Sequence, residues 1–155
     1  MPTETELLNS DEARLEELFR KSPAGEVPHG PMEGTAIFPQ AGTAVARLFA
    51  GLVNVFVWRG EVFSPEGYLS NRLTPLDILC AVAQVGPGQS WLDDQECIVV
   101  DYSATSLVCA GVRDEIRQVG PYLYLGPIWL FGRRVGWFTL RESNKDDVQL
   151  RSPCP

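Results

Sequence analysis

The residues best suited to chemistry in this sequence lie on one predicted β-strand, from Val112 to Val119. Side chains alternate between two faces along a strand, so Asp114 shares a face with Val112 and Ile116. If this mostly apolar set faces inward, desolvation raises the pKa of Asp114 and suits it to act as a general acid or base near neutral pH. Asp114 is therefore the first candidate catalytic residue.

The other face of the same strand carries Arg113, Glu115 and Arg117. If these residues face inward, they form an Arg-Glu-Arg cluster that could bind a ligand carboxylate in a bidentate manner. If they face outward, they form a solvated ladder of charges, and Asp114 merely pairs with a neighbour. The sequence leaves both orientations open, and all three are candidate ligand-binding residues.

An aspartate and three tyrosines complete the polar candidates. In a regular strand Asp101 and Tyr102 point to opposite sides, although a bulge could bring both to the mouth of a cavity. Alternatively, Asp101 begins a turn by bonding to nearby backbone. Tyr122 and Tyr124 are expected to share a face and, if it is the inner one, to supply two hydroxyl donors. We therefore expect Asp101, Tyr122 and Tyr124 to be catalytic and Tyr102 to bind ligand.

The chain contains four tryptophans among its 155 residues. Their rings either fill a core or line a wide pocket of the kind that takes hydrophobic natural products or acyl chains. In the second case the ligand-binding rings are Trp58, Trp91, Trp129 and Trp137.

Charge and motifs exclude several functions. The chain has 13 Lys and Arg against 20 Asp and Glu, a formal charge of -7, which predicts no nucleic-acid partner. The four cysteines show no C-x-x-C spacing and predict free thiols. Because His29 is the only histidine, multi-histidine zinc patterns are absent. His29 itself is predicted to be a loop residue without a chemical task. There is no P-loop and no G-x-G-x-x-G, so we predict neither a metal nor a cofactor.

The sequence also lacks signs of export or membrane insertion. Its first ten residues are acidic and contain no apolar run typical of a signal peptide, which predicts a cytoplasmic location. The most apolar stretch, 44–58, is shorter than the roughly 20 residues that a membrane span needs. We therefore predict no membrane span and a buried helix around 43–57. The β-branched residues Val53, Val55 and Val57 leave open that its last turns are strand instead.

The remaining pattern predicts a mainly β fold of the α+β class. A helix is expected over 10–21, capped by Asn9 or Ser10, with Leu15 and Phe19 on its apolar stripe. From residue 60 onward, consecutive short strands with hairpin-length connections predict an antiparallel meander that curls into a barrel. We expect one barrel domain over 1–141, with 1–22 as its helical N-terminal segment, and a loosely ordered tail over 142–155. The strands are expected at 33–38, 60–63, 68–73, 76–85, 91–92, 96–103, 107–119, 122–125, 128–131 and 135–140.

Five short motifs follow one another over roughly residues 30 to 142. They are Leu52–Phe63, Asp101–Ser103, Val112–Val119, Leu123–Gly126 and Gly136–Arg141. In sequence and order they resemble the small microbial proteins of the GXWXG and DUF4334 type. Trp58 and Gly60 match the naming motif, while Phe56 stands where that motif has glycine. The resemblance implies a calycin-like or lipocalin-like barrel that holds an apolar ligand, and it transfers no catalytic residue.

These observations predict a cofactor-free barrel that encloses an apolar small molecule and promotes acid-base or conformational chemistry, such as isomerisation or cyclisation. A non-catalytic carrier of a lipid or pigment would need the same pocket. The third alternative is an interaction module whose apolar rings bury a protein partner or a second copy of the chain, as in a homodimer.

Overall fold

The computed structural model describes residues 1–38, 57–63, 67–74, 82–103 and 111–142. The side chains of 57–63 and 68–74 are not part of this description. The predicted buried helix around 43–57 and the predicted tail at 142–155 therefore lie almost entirely outside the described residues.

The described chain is mainly β, as its sequence predicts, with two short helices before the first strand. The helices are α1 (Glu4–Leu8) and α2 (Glu12–Lys21). The strands are β1 (Gly30–Ile37), β2 (Val57–Phe63), β3 (Tyr68–Thr74), β4 (Val82–Gln89), β5 (Glu96–Asp101), β6 (Val112–Gly120), β7 (Leu123–Leu130) and β8 (Arg133–Glu142).

Every strand pairs antiparallel with the strands next to it in sequence. In addition, β1 pairs with β8 over six residues, from Met32 opposite Glu142 to Ile37 opposite Trp137. The pairings therefore return to the first strand and form a ring. We call the end of the ring where β1, β3, β5 and β7 begin the lower end, and the opposite end the upper end.

Two apolar clusters lie on opposite faces of the strands. The outer cluster joins α1 and α2 to the sheet and contains Leu7, Leu15, Phe19, Ile37, Cys97, Val119, Leu123, Leu125 and Trp137. The inner cluster contains Met32, Ala83, Ile98, Val100, Tyr102, Ile116, Tyr124, Ile128, Phe138 and Leu140. We call the faces that carry these clusters the outer and inner faces, and their separation follows from the period of two along each strand.

The N-terminal segment holds one more helix than the sequence predicts. The predicted caps Asn9 and Ser10 are wrong, because Asn9 ends α1 and the Asp11 carboxylate accepts the Arg14 N–H at the start of α2. The predicted stripe is correct, since Leu15 and Phe19 are both fully buried. Within the described residues, no helix is long and apolar enough to cross a membrane.

Most strand boundaries differ from the sequence prediction by a few residues, and the larger differences lie between β4 and β7. Residues 86–88 lie within β4 instead of ending it, and residues 91–92 lie in a turn instead of a strand. The two predicted strands 122–125 and 128–131 are one strand, β7, which continues through Gly126 and Pro127. A Cβ atom at Gly126 would lie 1.6 Å from the Glu115 carbonyl oxygen, so glycine permits this close approach of β7 to β6.

Candidate functional site

Asp114 lies on the inner face of β6 among apolar side chains. Its register partners are Val100 on β5 and Ile128 on β7, both members of the inner cluster. Ile116, two residues further along β6, is fully buried on the same face. As a residue Asp114 is half-buried, but its Oδ1 atom is closed to solvent and has no hydrogen-bond partner among the described residues. The structure thus selects the orientation in which Asp114 faces inward.

This environment changes the proton affinity of the carboxyl group. Burial raises the pKa of Asp114 from 3.8 to about 8, and the negative charge of Glu115 acts in the same direction. The Asp114 carboxyl is therefore mostly protonated at pH 7. A neutral carboxyl in an apolar site can donate a hydrogen bond or deliver a proton to a bound molecule.

Tyr124 also lies on the inner face, but near the lower end of the ring. Its hydroxyl donates a hydrogen bond to the Glu26 carbonyl at 2.8 Å. Burial raises the pKa of Tyr124, and the charges of Glu26 and Glu142 add to that shift. Its register partner Gln118 is four residues from Asp114 on β6, which is about 13 Å along a strand. Asp114 and Tyr124 therefore share a face but lie at different levels of it.

A pocket of about 170 Å³ opens at the lower end, beside the segment that joins α2 to β1. It is smaller than the roughly 300–1,000 Å³ of pockets for drug-sized ligands. Met32 and Tyr124 belong both to this pocket and to the inner cluster, so the pocket borders the inner face. The lining residues are those at 26–29 together with Met32, Tyr122, Tyr124 and Glu142.

One residue of this pocket differs from its predicted position. Tyr122 does not share a strand face with Tyr124, because it lies in the turn before β7 with a φ of 54° and is 67% exposed. His29 lies in the loop before β1, as the sequence predicts, and lines the pocket. Only the folded arrangement brings residues 26–29 beside Tyr122 and Tyr124, and spacing along the sequence carries no signal of it.

The charged residues of β6 lie on the outer face and are not a solvated ladder. Glu115 is fully buried, and its carboxylate accepts three hydrogen bonds. The donors are Ser90 Oγ at 2.6 Å, the Trp91 backbone N–H at 2.9 Å and Arg113 Nε at 3.2 Å. The predicted inward-facing Arg-Glu-Arg clamp is also wrong, because these residues occupy the face opposite Asp114.

Arg117 has partners on two other elements. Its guanidinium donates to both carboxylate oxygens of Asp93 at 2.8 Å and to the Phe19 and Glu96 carbonyls. It also lies 4.4 Å from the centre of the Phe19 ring. The hydrogen bond from Arg117 is the largest cause of the lowered pKa of Asp93. Arg117 thus joins α2 and the β4–β5 turn to the sheet.

The three tryptophans with described side chains do not line the inner face. Trp137 is fully buried in the outer cluster, where its ring meets Phe19 edge to face at 5.9 Å. Trp91, 52% exposed, packs against Trp129 at 5.6 Å and beneath the Arg113 guanidinium at 4.3 Å. Strand alternation explains the position of Trp137, because the next residue, Phe138, lies on the inner face. Trp58 lies in β2, and its side chain is outside the description.

The remaining candidates lie at the end of β5. The Asp101 carboxylate accepts the Ser103 N–H at 2.8 Å, which confirms the turn that the sequence offers as one alternative. Tyr102 is buried in the inner cluster, so the side chains of Asp101 and Tyr102 point to opposite sides.

Cys97 is a free, buried thiol, and burial raises its pKa to about 12, which makes it unreactive near neutral pH. In the described ranges, no group of three or more His, Cys, Asp or Glu side chains could hold a metal ion.

A solved structure of a protein from Thermomonospora curvata is similar to this chain, with a TM-score of 0.65. The two sequences are 17% identical, and the match covers 87% of this chain and 89% of the other. At this level of identity the likeness shows a shared fold alone. No family model matches the chain, and no curated protein matches it.

Proposed function

We propose that the ring of strands is a calycin-like or lipocalin-like barrel that encloses a largely apolar small molecule, and that Asp114 acts on this molecule as a general acid. The reaction class is isomerisation or cyclisation without a cofactor. Kinship with the GXWXG and DUF4334 proteins and a cytoplasmic location belong to the same proposal. The ring of pairings and the apolar inner cluster support the enclosure.

The observation that carries the catalytic part is the unpartnered Oδ1 atom of Asp114. Buried polar atoms in folded proteins are nearly always hydrogen-bonded, and leaving one unpaired costs about 1–3 kcal/mol. A ligand atom that accepts a hydrogen bond from the carboxyl would remove this cost. Buried carboxyls with strongly shifted pKa values are also typical of functional sites.

The chemistry follows from the protonated state of Asp114. The neutral carboxyl donates a hydrogen bond to a carbonyl oxygen or an unsaturated carbon of the ligand and transfers its proton there, which leaves a positive charge on the ligand and a carboxylate on Asp114. The resulting carboxylate then removes a proton from another position of the same molecule, which restores the acid and leaves an isomer of the starting compound. The apolar neighbours Val100, Ile116 and Ile128 exclude water from this exchange.

The first test identifies the bound molecule. We expect organic extraction of the purified protein, followed by mass spectrometry, to release an apolar compound of low molecular mass. Nile red, a neutral apolar dye, should bind and fluoresce, and an excess of the extracted compound should displace it. If no compound is released and no dye binds, the enclosure proposal is wrong.

The second test separates catalysis from carriage. Asp114→Asn keeps the size of the side chain but removes the acid, so it should bind the extracted compound with similar affinity and lose its conversion to an isomer. Asp94→Asn is the matched control, because Asp94 is exposed in the β4–β5 turn. If the unchanged protein binds the compound without altering it, the protein is a carrier and the catalytic part fails.

A further inference from the structure

We infer that the ligand is electrically neutral and presents a hydrogen-bond acceptor, such as a ketone or ester carbonyl, to Asp114. The inference rests on the proposed function, since it needs a molecule inside the ring. It narrows the ligand class by excluding fatty-acid anions and other carboxylates.

The basic side chains of β6 and β8 are held away from Asp114. Four of the five arginines on β6 and β8 are engaged with acidic partners, and the fifth, Arg133, is exposed at the start of β8. On the inner face, as far as the described side chains show it, no basic group points toward Asp114. The pairs are Arg113 with Glu115, Arg117 with Asp93, Arg134 with Glu12 and Glu16, and Arg141 with Glu4 and Glu33.

A carboxylate bound at this face would lose its hydration without gaining a cation. Burying an unpaired charge is far more costly than burying a neutral carbonyl that accepts one hydrogen bond. The two register partners of Asp114 are the aliphatic residues Val100 and Ile128, which offer nothing to compensate such a charge. An anionic ligand is therefore disfavoured in contact with this part of the ring.

The surroundings of Asp114 favour a neutral carboxyl that donates a hydrogen bond. Its Oδ1 atom accepts no hydrogen bond from the described chain, although a buried carboxylate normally accepts several. The environment thus fits the neutral carboxyl, which has one O–H to donate. A ligand ammonium would instead require ionised Asp114, and the resulting buried ion pair would lack the further hydrogen bonds that such pairs need.

Four probes of twelve or thirteen carbons test the inference: dodecane, 2-tridecanone, dodecanoate and dodecylamine. Each competes with Nile red at pH 7. We expect 2-tridecanone to bind about tenfold more tightly than dodecane, because it gains one hydrogen bond in a dry site. Dodecanoate and dodecylamine should bind more weakly than the ketone by at least a similar factor.

Variants assign the preference to Asp114. In Asp114→Val the ketone should lose its advantage over dodecane, whereas Asp114→Asn, which still carries N–H donors, should keep part of it. Asp94→Asn should behave as the unchanged protein does. Tightest binding of dodecanoate or dodecylamine, or a ketone advantage that survives in Asp114→Val, overturns the inference and leaves the enclosure standing. If neither Nile red nor any probe binds, the proposed function itself has failed.

Discussion

Asp114 and Glu115 are adjacent residues of β6 whose carboxyl groups lie on opposite faces of one strand. Glu115 is fully buried on the outer face, where its carboxylate accepts hydrogen bonds from Ser90, Trp91 and Arg113. On the inner face, Asp114 Oδ1 is equally closed to solvent but has no partner in the described chain. Burial of an acidic group therefore does not by itself indicate a site, and the presence or absence of partners distinguishes the two faces.

The outer face uses its charges to hold separate elements together. Arg117 joins α2, through the Phe19 carbonyl, and the β4–β5 turn, through Asp93, to β6. Removing one member leaves the others buried without compensation. The inner face contains no comparable network in the described residues, so its unpartnered acid is available to a ligand. The three predictions below test this difference.

The largest expected effect is on the outer face. Arg117→Met removes the cation that pairs with the Asp93 carboxylate and one donor to each of the Phe19 and Glu96 carbonyls, so we expect a loss of about 3–5 kcal/mol in the free energy of unfolding. Urea-induced unfolding measures this change. Arg14→Met is the control, because the Arg14 side chain is 55% exposed and its pair with Glu17 is a surface pair, for which no measurable change is expected. Equal stability of the two variants would show that the outer network is not structural.

The second effect is a dependence of stability on pH that arises from the inner face. The pKa of Asp114 is about 8 in the folded protein, against an ordinary value of 3.8. Between these values the folded state holds a proton that the unfolded state has released, so the stabilising contribution of the Asp114 proton is fully present below pH 4 and is lost as the pH rises through 8. We expect the unchanged protein to lose on the order of 3 kcal/mol relative to Asp114→Asn between pH 5 and pH 8.

Urea unfolding of both proteins at pH 5, 6.5 and 8 provides this measurement. The comparison with Asp114→Asn removes the contribution of every other titrating group, since those groups are common to both proteins. Parallel stability curves would mean that Asp114 is solvated or paired, and the contrast between the two faces would disappear.

The smallest effect concerns the lower end of the inner face. Tyr124→Phe removes the hydrogen bond to the Glu26 carbonyl and should lower the free energy of unfolding by about 1 kcal/mol. The Gln118 N–H, which donates to the Pro23 carbonyl, should also exchange faster with deuterium as the segment between α2 and β1 loosens. Tyr122→Phe should change neither value, because Tyr122 is 67% exposed.

The sequence predicts which side chains of a strand share a face better than it predicts which face points inward. The period of two along β6 correctly separates Asp114 and Ile116 from Glu115 and Arg117. Which set faces inward depends on the outer cluster, where Leu15 and Phe19 of α2 meet the sheet, and this packing has no local signal. The sequence also misplaces the Gly126–Pro127 pair. Glycine and proline are typical of turns and predict a break here, but both residues lie inside the continuous strand β7.

Other features depend on contacts between distant parts of the chain. The Glu115 carboxylate accepts hydrogen bonds from Ser90 and Trp91, which lie 25 and 24 residues earlier in the chain. Because these neighbours are not apparent from the sequence, the charged face of β6 is predicted to be exposed to solvent. By contrast, α1 carries a signal in its own sequence: Thr3 and Glu6 have the spacing of a capping box, and both reciprocal bonds are present.

The pairing of β1 with β8 has a consequence for the order of folding. Ile37 and Trp137 are paired across 100 residues of chain, from position 37 to position 137. During synthesis β1 must therefore wait for β8 to leave the ribosome before it gains its second neighbour, and contacts of such long range slow folding. We expect nascent chains arrested before β8 to expose the hydrogen-bonding edges of β1 and β7 and to need a chaperone until the last strand is complete.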